Sequence, residues 1–89
     1  MSISFVIPCY NCENIIQNSL KRLIKKLIKL GISKFEIIVI DDGSIDSTYK
    51  ELKKFKNKRV KIIKNFSNLG KSSSLIKGIK KTTFKKVIL

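Results

Sequence analysis

Three short polar segments of the sequence carry residue types that can recognise a small ligand. They are residues 8–11 (Pro-Cys-Tyr-Asn), residues 41–44 (Asp-Asp-Gly-Ser) and residues 68–71 (Asn-Leu-Gly-Lys). A tyrosine ring can stack on a flat base, and a carboxylate can accept hydrogen bonds from N–H and O–H groups. A glycine and a lysine at the start of a helix can bring backbone and positive charge close to a phosphate.

The paired aspartates Asp41 and Asp42 stand out among these residues. The chain has only six acidic residues, and Asp46 lies close to the pair. Adjacent residues that leave a strand point to opposite sides, so one carboxylate can hold the loop while the other faces a crevice. Asp-Asp-Gly-Ser is also favourable turn chemistry by itself. Both interpretations stay open at this point.

The other two segments also have ordinary structural interpretations. Tyr10 can be a loop aromatic that covers the edge of the core, and the serines at 72–74 can be helix caps. The sequence contains neither the G-x-G-x-x-G fingerprint nor the G-x-x-x-x-G-K-[ST] loop. These absences argue against a dinucleotide-dependent dehydrogenase and against a P-loop nucleotide triphosphatase.

Two cysteines, Cys9 and Cys12, have the C-x-x-C spacing that redox pairs and zinc sites use. A structural zinc ion normally takes four Cys or His ligands, and this chain has no histidine and no other cysteine. A redox pair needs a thiol near the start of a helix, where the thiolate is favoured. The alternative is two incidental thiols in a loop.

The net charge of +14 comes almost entirely from lysine, since only Arg22 and Arg59 are arginines. Lysines are spread over every segment after residue 20, whereas sequence-specific nucleic-acid readers favour arginine. We therefore expect no specific nucleic-acid partner, and peripheral attraction to an anionic membrane surface is more plausible. With no signal peptide and no long apolar run, the expected location is the cytoplasm, including the inner face of the membrane.

Apolar patterning predicts that strands and helices alternate along the chain. Strands are predicted at 3–7, 35–40, 60–63 and 87–89, and the first helix runs from Ile16 to Leu30 and ends at Gly31. A second helix begins near Thr48, with either a Thr48/Glu51 capping box or Asp46 as its cap. A third helix presents three apolar residues, which are Leu75, Ile76 and Ile79.

This β-α-β-α-β-α-β order predicts an α/β fold with a mostly parallel sheet, right-handed crossovers and helices on both faces. In such three-layer, Rossmann-like sheets, ligands bind beyond the carboxyl ends of the strands, where the three polar segments meet. The chain stops inside the fourth predicted strand. We therefore expect residues 1–89 to form a partial, truncated domain.

Taken in order, the three segments resemble family 2 glycosyltransferases, whose nucleotide-sugar-binding half has the GT-A fold. Residues 4–11 (SFVIPCYN) resemble the opening strand and Pro-x-Tyr-Asn turn of that family, and residues 36–46 resemble its second strand and Asp-Asp-Gly-Ser-x-Asp signature. Residues 68–71, with Gly78 and Ile79 further on, resemble its Asn-x-Gly segment as found in polyprenyl-phosphate sugar transferases.

The resemblance implies a role for each matching residue. Pro8 and Tyr10 are expected to line the base pocket, and Asp42 to form a hydrogen bond with the base. Asp41 is expected to brace the loop, and Lys71 to approach the diphosphate. Many members of the family have an acidic residue directly after Tyr-Asn, where this chain has Cys12.

The resemblance also implies a nucleoside diphosphate sugar as partner, a lipid or saccharide acceptor, and a divalent metal, Mn²⁺ or Mg²⁺. The Asp-x-Asp metal motif of the family normally follows the fourth strand and is absent from this chain. We therefore expect the 89-residue chain to lack transferase activity.

Two alternative functions also fit parts of the sequence. One is a basic, non-enzymatic module that binds nucleic acid or anionic lipid, and the other is a receiver domain. Receivers carry their acidic pair after the first strand, and here the pair follows the second.

Overall fold

The computed structural model describes residues 1–89 as four strands and three helices in strict alternation. The elements, in chain order, are β1 (Ser2–Cys9), α1 (Ile16–Lys29), β2 (Lys34–Asp42), α2 (Thr48–Lys54), β3 (Val60–Asn65), α3 (Lys71–Ile79) and β4 (Lys86–Ile88). All strand pairs are parallel, and the spatial order is β3-β2-β1-β4. The predicted α/β class with a parallel sheet is confirmed. None of the helices is both long enough and apolar enough to cross a membrane.

The strand register aligns the carboxyl ends of the three strands that precede the polar segments. Cys9 at the end of β1 pairs with Asp41, and the last residue of β2, Asp42, pairs with Asn65 at the end of β3. The chain moves from β1 outward to β3 and then crosses to β4 on the other side of β1. Ligand sites of open α/β sheets lie at such a reversal, beyond the carboxyl ends.

The central strand β2 is covered on both faces, so its apolar residues alternate between two cores. Ile37 and Val39 face α1 and α2, where they pack with Leu20, Leu27 and Leu52. On the opposite face, a smaller cluster packs near α3, and its fully buried members are Val6, Ile38 and Ile40. This double coverage confirms the three-layer arrangement that the apolar run of β2 predicts.

The packing face of α3 differs from the prediction. Ile76 is 56% exposed and Ile79 is 41% exposed, whereas Ser74 and Gly78 face the sheet and are buried. A Cβ at position 78 would lie 2.4 Å from Val6 Cγ1 and 2.6 Å from Ile40 Cδ1. The helix therefore lies so close to the sheet that small residues form its inner face, which apolar periodicity alone does not reveal.

The ends of several elements also differ from the predicted bounds. Strand β1 continues through Pro8 to Cys9, and Pro8 lies in the part of β1 that has only β2 as a neighbour. Strand β2 includes both aspartates rather than ending before them. Helix α1 ends as predicted, because Gly31 has a φ of +78° and its N–H donates to Ile28 O.

The predicted Thr48/Glu51 capping box does not form at the start of α2. Thr48 is the first helical residue, and its N–H donates to Asp46 Oδ1 at 2.8 Å. The Thr48 hydroxyl also donates to that carboxylate. The alternative prediction, with Asp46 as the capping side chain, matches these contacts.

A buried carboxylate, Glu36, joins strands at the end of the sheet opposite the polar segments. It is 5% exposed and accepts hydrogen bonds from the Ser4 hydroxyl at 2.6 Å, from Thr83 N–H and from Lys61 Nζ at 3.0 Å. Burial alone would raise the pKa of Glu36, but these donors outweigh it and lower the pKa from 4.5 to about 2. The ionised form of Glu36 therefore stabilises the folded chain.

We expect Glu36 to make folding sensitive to acid. Its folded pKa of about 2 lies below the ordinary value of 4.5, so its contribution is present above pH 4.5 and is lost as the pH falls towards 2. A shift of this size corresponds to about 3 kcal/mol. In urea unfolding followed by circular dichroism, the free energy of unfolding of Glu36→Gln should fall less steeply between these pH values than that of the wild type. Glu51→Gln, which changes the partner of the mostly exposed Lys54, should keep the wild-type slope. An unchanged slope in Glu36→Gln would contradict the assignment.

Candidate functional site

An open cleft of about 350 Å³ lies beyond the carboxyl ends of β1 and β2, against the start of α3. All three polar segments contribute to it. The residues that line it are Pro8, Cys9, Tyr10, Asp42, Asn68, Gly70 and Lys71. Four of the five predicted site residues therefore line one cleft. The fifth, Asp41, does not line it.

Pro8 and Tyr10 form the wall of the cleft that follows β1. The side chain of Tyr10 is 45% exposed. Tyr10 lines the cleft and is not buried in the core, so its ring has an open face for a flat ligand. This placement favours a binding role over simple coverage of the core edge.

Asn11 fixes the turn that presents Tyr10. Its φ of +51° lies in the left-handed region, which asparagine tolerates better than most residues. Its backbone N–H donates to Ser44 Oγ at 2.9 Å, and its Oδ1 accepts from Ile45 N–H at 3.0 Å. The loop after β1 is thereby attached to the loop after β2.

A second set of hydrogen bonds strengthens this attachment further along both loops. The backbone N–H of Cys12 donates to Thr48 Oγ1 at 2.7 Å. Glu13 N–H donates to Asp46 Oδ2 at 3.2 Å, and Ser47 N–H donates to Glu13 Oε2 at 3.2 Å. In this attachment Cys12 contributes its backbone N–H, and Glu13 contributes both its backbone N–H and its carboxylate.

Asp42 connects β2 to the loop that enters α3. Its Oδ1 accepts from Leu69 N–H at 2.8 Å and from Asn65 Nδ2 at 3.0 Å, and its Oδ2 accepts from Gly70 N–H at 3.0 Å. Burial would raise the pKa of Asp42, but the backbone N–H of Leu69, the Asn65 amide and the Gly70 N–H together lower it. The carboxylate is therefore ionised at neutral pH. Three of its about four lone-pair positions are thus occupied, and the Ser74 side chain also contributes to the lowered pKa.

Asn65 supports Asp42 from below and is a site residue that the sequence did not identify. It is 2% exposed, its Nδ2 also donates to Ser74 Oγ at 3.2 Å, and Lys77 Nζ donates to its Oδ1 at 2.6 Å. This network joins β2, β3 and α3. The network depends on the strand pairing of Asp42 with Asn65, and no local sequence motif predicts that pairing.

Asp41 lies on the other face of β2 and does not line the cleft. It is fully buried, and its Oδ1 accepts only the Ser44 N–H at 3.2 Å, while no partner reaches Oδ2. The two aspartates do point to opposite sides, as expected for adjacent strand residues. Asp41 thus holds its own turn, whereas Asp42 lines the cleft and also braces the 69–70 loop.

Gly43 allows the two loops beside Asp42 to lie in direct contact. Its φ is +70°, and a Cβ there would lie 2.3 Å from the Ser67 carbonyl carbon and 2.5 Å from Asn68 N. A side chain at this position would push residues 67 and 68 away from β2. The glycine of the Asp-Asp-Gly-Ser segment is thus required by backbone approach as well as by its φ.

Lys71 is the first residue of α3 and the cationic member of the cleft lining. It follows Gly70, whose φ of +95° turns the chain into the helix and whose added Cβ would meet only open space. The unpaired N–H groups of the first helical turn therefore lie beside Lys71 at the cleft. The Asp42 carboxylate lies close to this positive group, because its Oδ2 accepts from the N–H of Gly70, the residue before Lys71.

Cys9 and Cys12 are free thiols. Burial, followed by the neighbouring Cys12 and the carboxylates of Asp41 and Asp46, raises the pKa of the Cys9 thiol to about 12. Redox pairs need a depressed thiol pKa, so this environment favours the interpretation of two incidental thiols. The chain also has no group of three or more His, Cys, Asp or Glu side chains that could hold a metal ion.

Several glycosyltransferases are similar to this chain. An uncharacterized glycosyltransferase of Synechocystis sp. is 38% identical over 89% of the chain and 25% of its own length. The poly-beta-1,6-N-acetyl-D-glucosamine synthase of Staphylococcus epidermidis is 34% identical over 97% of the chain and 20% of its own length. The dolichol-phosphate mannosyltransferase of Pyrococcus furiosus is 32% identical over 93% of the chain and 23% of its own length. The chain thus spans a quarter or less of these relatives.

The fold comparison agrees with the sequence comparison. The crystal structure of residues 1–349 of TarS from S. aureus superposes with a TM-score of 0.81 at 30% identity, over 99% of this chain and 26% of that one. Residues 4–89 match the profile of the family described as Glycosyl transferase family 2. The resemblance drawn from the three motifs is therefore confirmed, and the chain belongs to glycosyl transferase family 2.

Proposed function

We propose that the cleft binds the nucleoside diphosphate part of a nucleotide sugar. The observation that carries this proposal is that Tyr10, directly after β1, and Asp42, at the end of β2, line one cleft together with Lys71 at the start of α3. The Tyr10 ring would stack on the base, the Asp42 carboxylate would accept a base N–H, and Pro8 would close the pocket.

The diphosphate would lie towards the start of α3. Lys71 and the N–H groups of the first helical turn supply positive potential there. The Asp42 carboxylate would repel phosphate, so the diphosphate would lie on the side of Lys71 away from that carboxylate, and the base would contact Asp42.

The proposed reaction of the complete protein is transfer of a sugar from the nucleoside diphosphate to a lipid or saccharide acceptor. The named activities of the relatives, a polysaccharide synthase and a dolichol-phosphate mannosyltransferase, support this class of reaction. A divalent Mn²⁺ or Mg²⁺ ion would offset the charge of the leaving diphosphate, but the residues of this chain do not form a site that fits it.

Removal of the Tyr10 ring should weaken nucleotide binding without unfolding the chain. Stacking of a base on an aromatic ring contributes about 1–3 kcal/mol, so Tyr10→Ala should weaken the affinity for UDP or GDP by about tenfold or more in isothermal titration calorimetry. Phe66→Ala is the matched control, because Phe66 is 96% exposed and lies outside the cleft lining. Equal losses in both variants would contradict the stacking role.

Asp42 and Asp41 offer a second matched pair. Asp42→Asn removes the charge that attracts a base N–H and weakens the bonds to Leu69 and Gly70, so we expect a loss of about tenfold to a hundredfold in nucleotide affinity. Asp41→Asn makes the same chemical change one residue away but outside the cleft, and should leave the affinity within about twofold. Thermal unfolding of both variants separates lost binding from lost folding. A larger affinity loss in Asp41→Asn would refute the assignment.

The 89-residue chain should bind nucleotide without turning it over. Incubation with UDP- and GDP-sugars, Mn²⁺ and lipid or saccharide acceptors should yield no transfer product by mass spectrometry, because the chain has no group of side chains that could hold the metal ion. Sustained product formation that disappears with Tyr10→Ala would show that these residues suffice for transfer.

A further inference from the structure

Helix α1 carries a dense set of positive charges. It has five basic residues and no acidic one. Of the six acidic residues in the chain, Glu36, Asp41 and Asp42 are buried, Glu51 on α2 is paired with Lys54, and Glu13 and Asp46 lie in the loops before α1 and α2. The outer face of α1 is therefore positive.

Part of this surface has an apolar floor. A groove of about 320 Å³ runs between α1 and the chain after α2, and an adjoining groove of about 310 Å³ shares Lys21, Phe55 and Asn57 with it. We call the combined surface the α1–α2 face. Its apolar members are Ile24, Ile28 and Phe55, and its basic members are Lys21, Lys25, Lys54 and Lys56.

The apolar members are not covered by the rest of the chain. Ile28 is 62% exposed, and Leu30 at the end of α1 is 65% exposed. Ile24 and Phe55 pack only partly against the core beneath them. Lysine side chains around exposed aliphatic residues match the surface of an anionic bilayer, where ammonium groups meet phosphates and aliphatic groups enter the boundary of the acyl chains.

We propose that the α1–α2 face binds peripherally to a membrane surface rich in anionic phospholipid. The cleft opens at the carboxyl ends of the strands and against α3, which packs on the opposite side of the sheet from α1 and α2. A nucleotide can therefore enter while this face rests on the lipid. The inference does not depend on the proposed nucleotide binding.

The α1–α2 face suits lipid better than nucleic acid. Its positive groups are lysines, which act as flexible point charges, whereas bidentate recognition of phosphates and bases favours arginine. Its most exposed apolar residue, Ile28, is aliphatic and offers no ring on which a base could stack, and the one ring of the face, Phe55, is partly buried against the core. The exposed aliphatic surface of Ile28 would stay in water on a nucleic-acid phosphate backbone but would be covered in a bilayer interface.

The test is co-sedimentation of the chain with vesicles of equal parts phosphatidylglycerol and phosphatidylcholine, compared with pure phosphatidylcholine. We expect binding only to the anionic vesicles. The triple variant Lys21→Glu, Lys25→Glu, Lys56→Glu should bind more than about tenfold less, since each basic group near the surface adds substantially to the attraction. The control Lys80→Glu, Lys81→Glu, Lys85→Glu has the same net charge but changes exposed lysines after α3, and should retain binding within about threefold.

Ile28→Ser tests the apolar contribution without a change of charge. It should weaken vesicle binding severalfold while leaving the circular dichroism spectrum unchanged, because the side chain is mostly exposed. Equal losses in the two triple variants would overturn the proposal, since they would show attraction without a defined face. Binding to duplex DNA as tight as to vesicles, with Ile28→Ser indistinguishable from wild type, would also overturn it in favour of a nucleic-acid surface.

Discussion

The shape of the cleft depends on the ionised carboxylate of Asp42. A carboxylate that is 4% exposed is costly to bury, and three hydrogen-bond donors offset that cost. Two of those donors are backbone N–H groups of Leu69 and Gly70, so the same bonds that stabilise the charge also hold the loop into α3 against β2. The wall that carries Lys71 is positioned as a consequence of charge burial at the end of a central strand.

The wall of the cleft that follows β1 is held by hydrogen bonds between loops rather than by a buried charge. Asn11 adopts a left-handed backbone and uses its side chain to satisfy N–H groups of the loop after β2. Residues 41–48 therefore contact both walls, through Asp42 on one side and through Ser44, Asp46 and Thr48 on the other. Because these hydrogen bonds run between loops far apart in sequence, the shape of the cleft depends on the register of β1 and β2.

Much of the fold follows from patterns that are local in sequence. The apolar run of β2 predicts a buried strand, the four-and-three spacing predicts α1, and the glycine at position 31 predicts the end of α1. The structure confirms all three. In α3, Leu75 packs against the core, but Ile76 and Ile79 are exposed. The closest packing is made by Ser74 and Gly78, because close helix packing favours small residues, and these two carry no apolar signal.

The site could be predicted only in part for a related reason. Motifs mark Tyr10, Asp42 and Lys71, since each belongs to a short segment with recognisable chemistry. Asn65 and Ser74 contribute through strand pairing and helix docking, and neither can be predicted from a short sequence segment. The roles of Asp41 and Asp42 likewise depend on which face of β2 each one occupies, and one-residue shifts of a strand exchange those faces.

The environment of Cys9 has a practical consequence for work on this chain. Because Cys9 is buried and its pKa is raised to about 12, a maleimide fluorophore or a nitroxide spin label would attach to the half-buried Cys12 instead. Cys12 Sγ lies 3.3 Å from the carbonyl oxygen of Tyr10. The unaltered sequence thus offers a single labelling position beside the cleft, from which ligand entry could be followed spectroscopically.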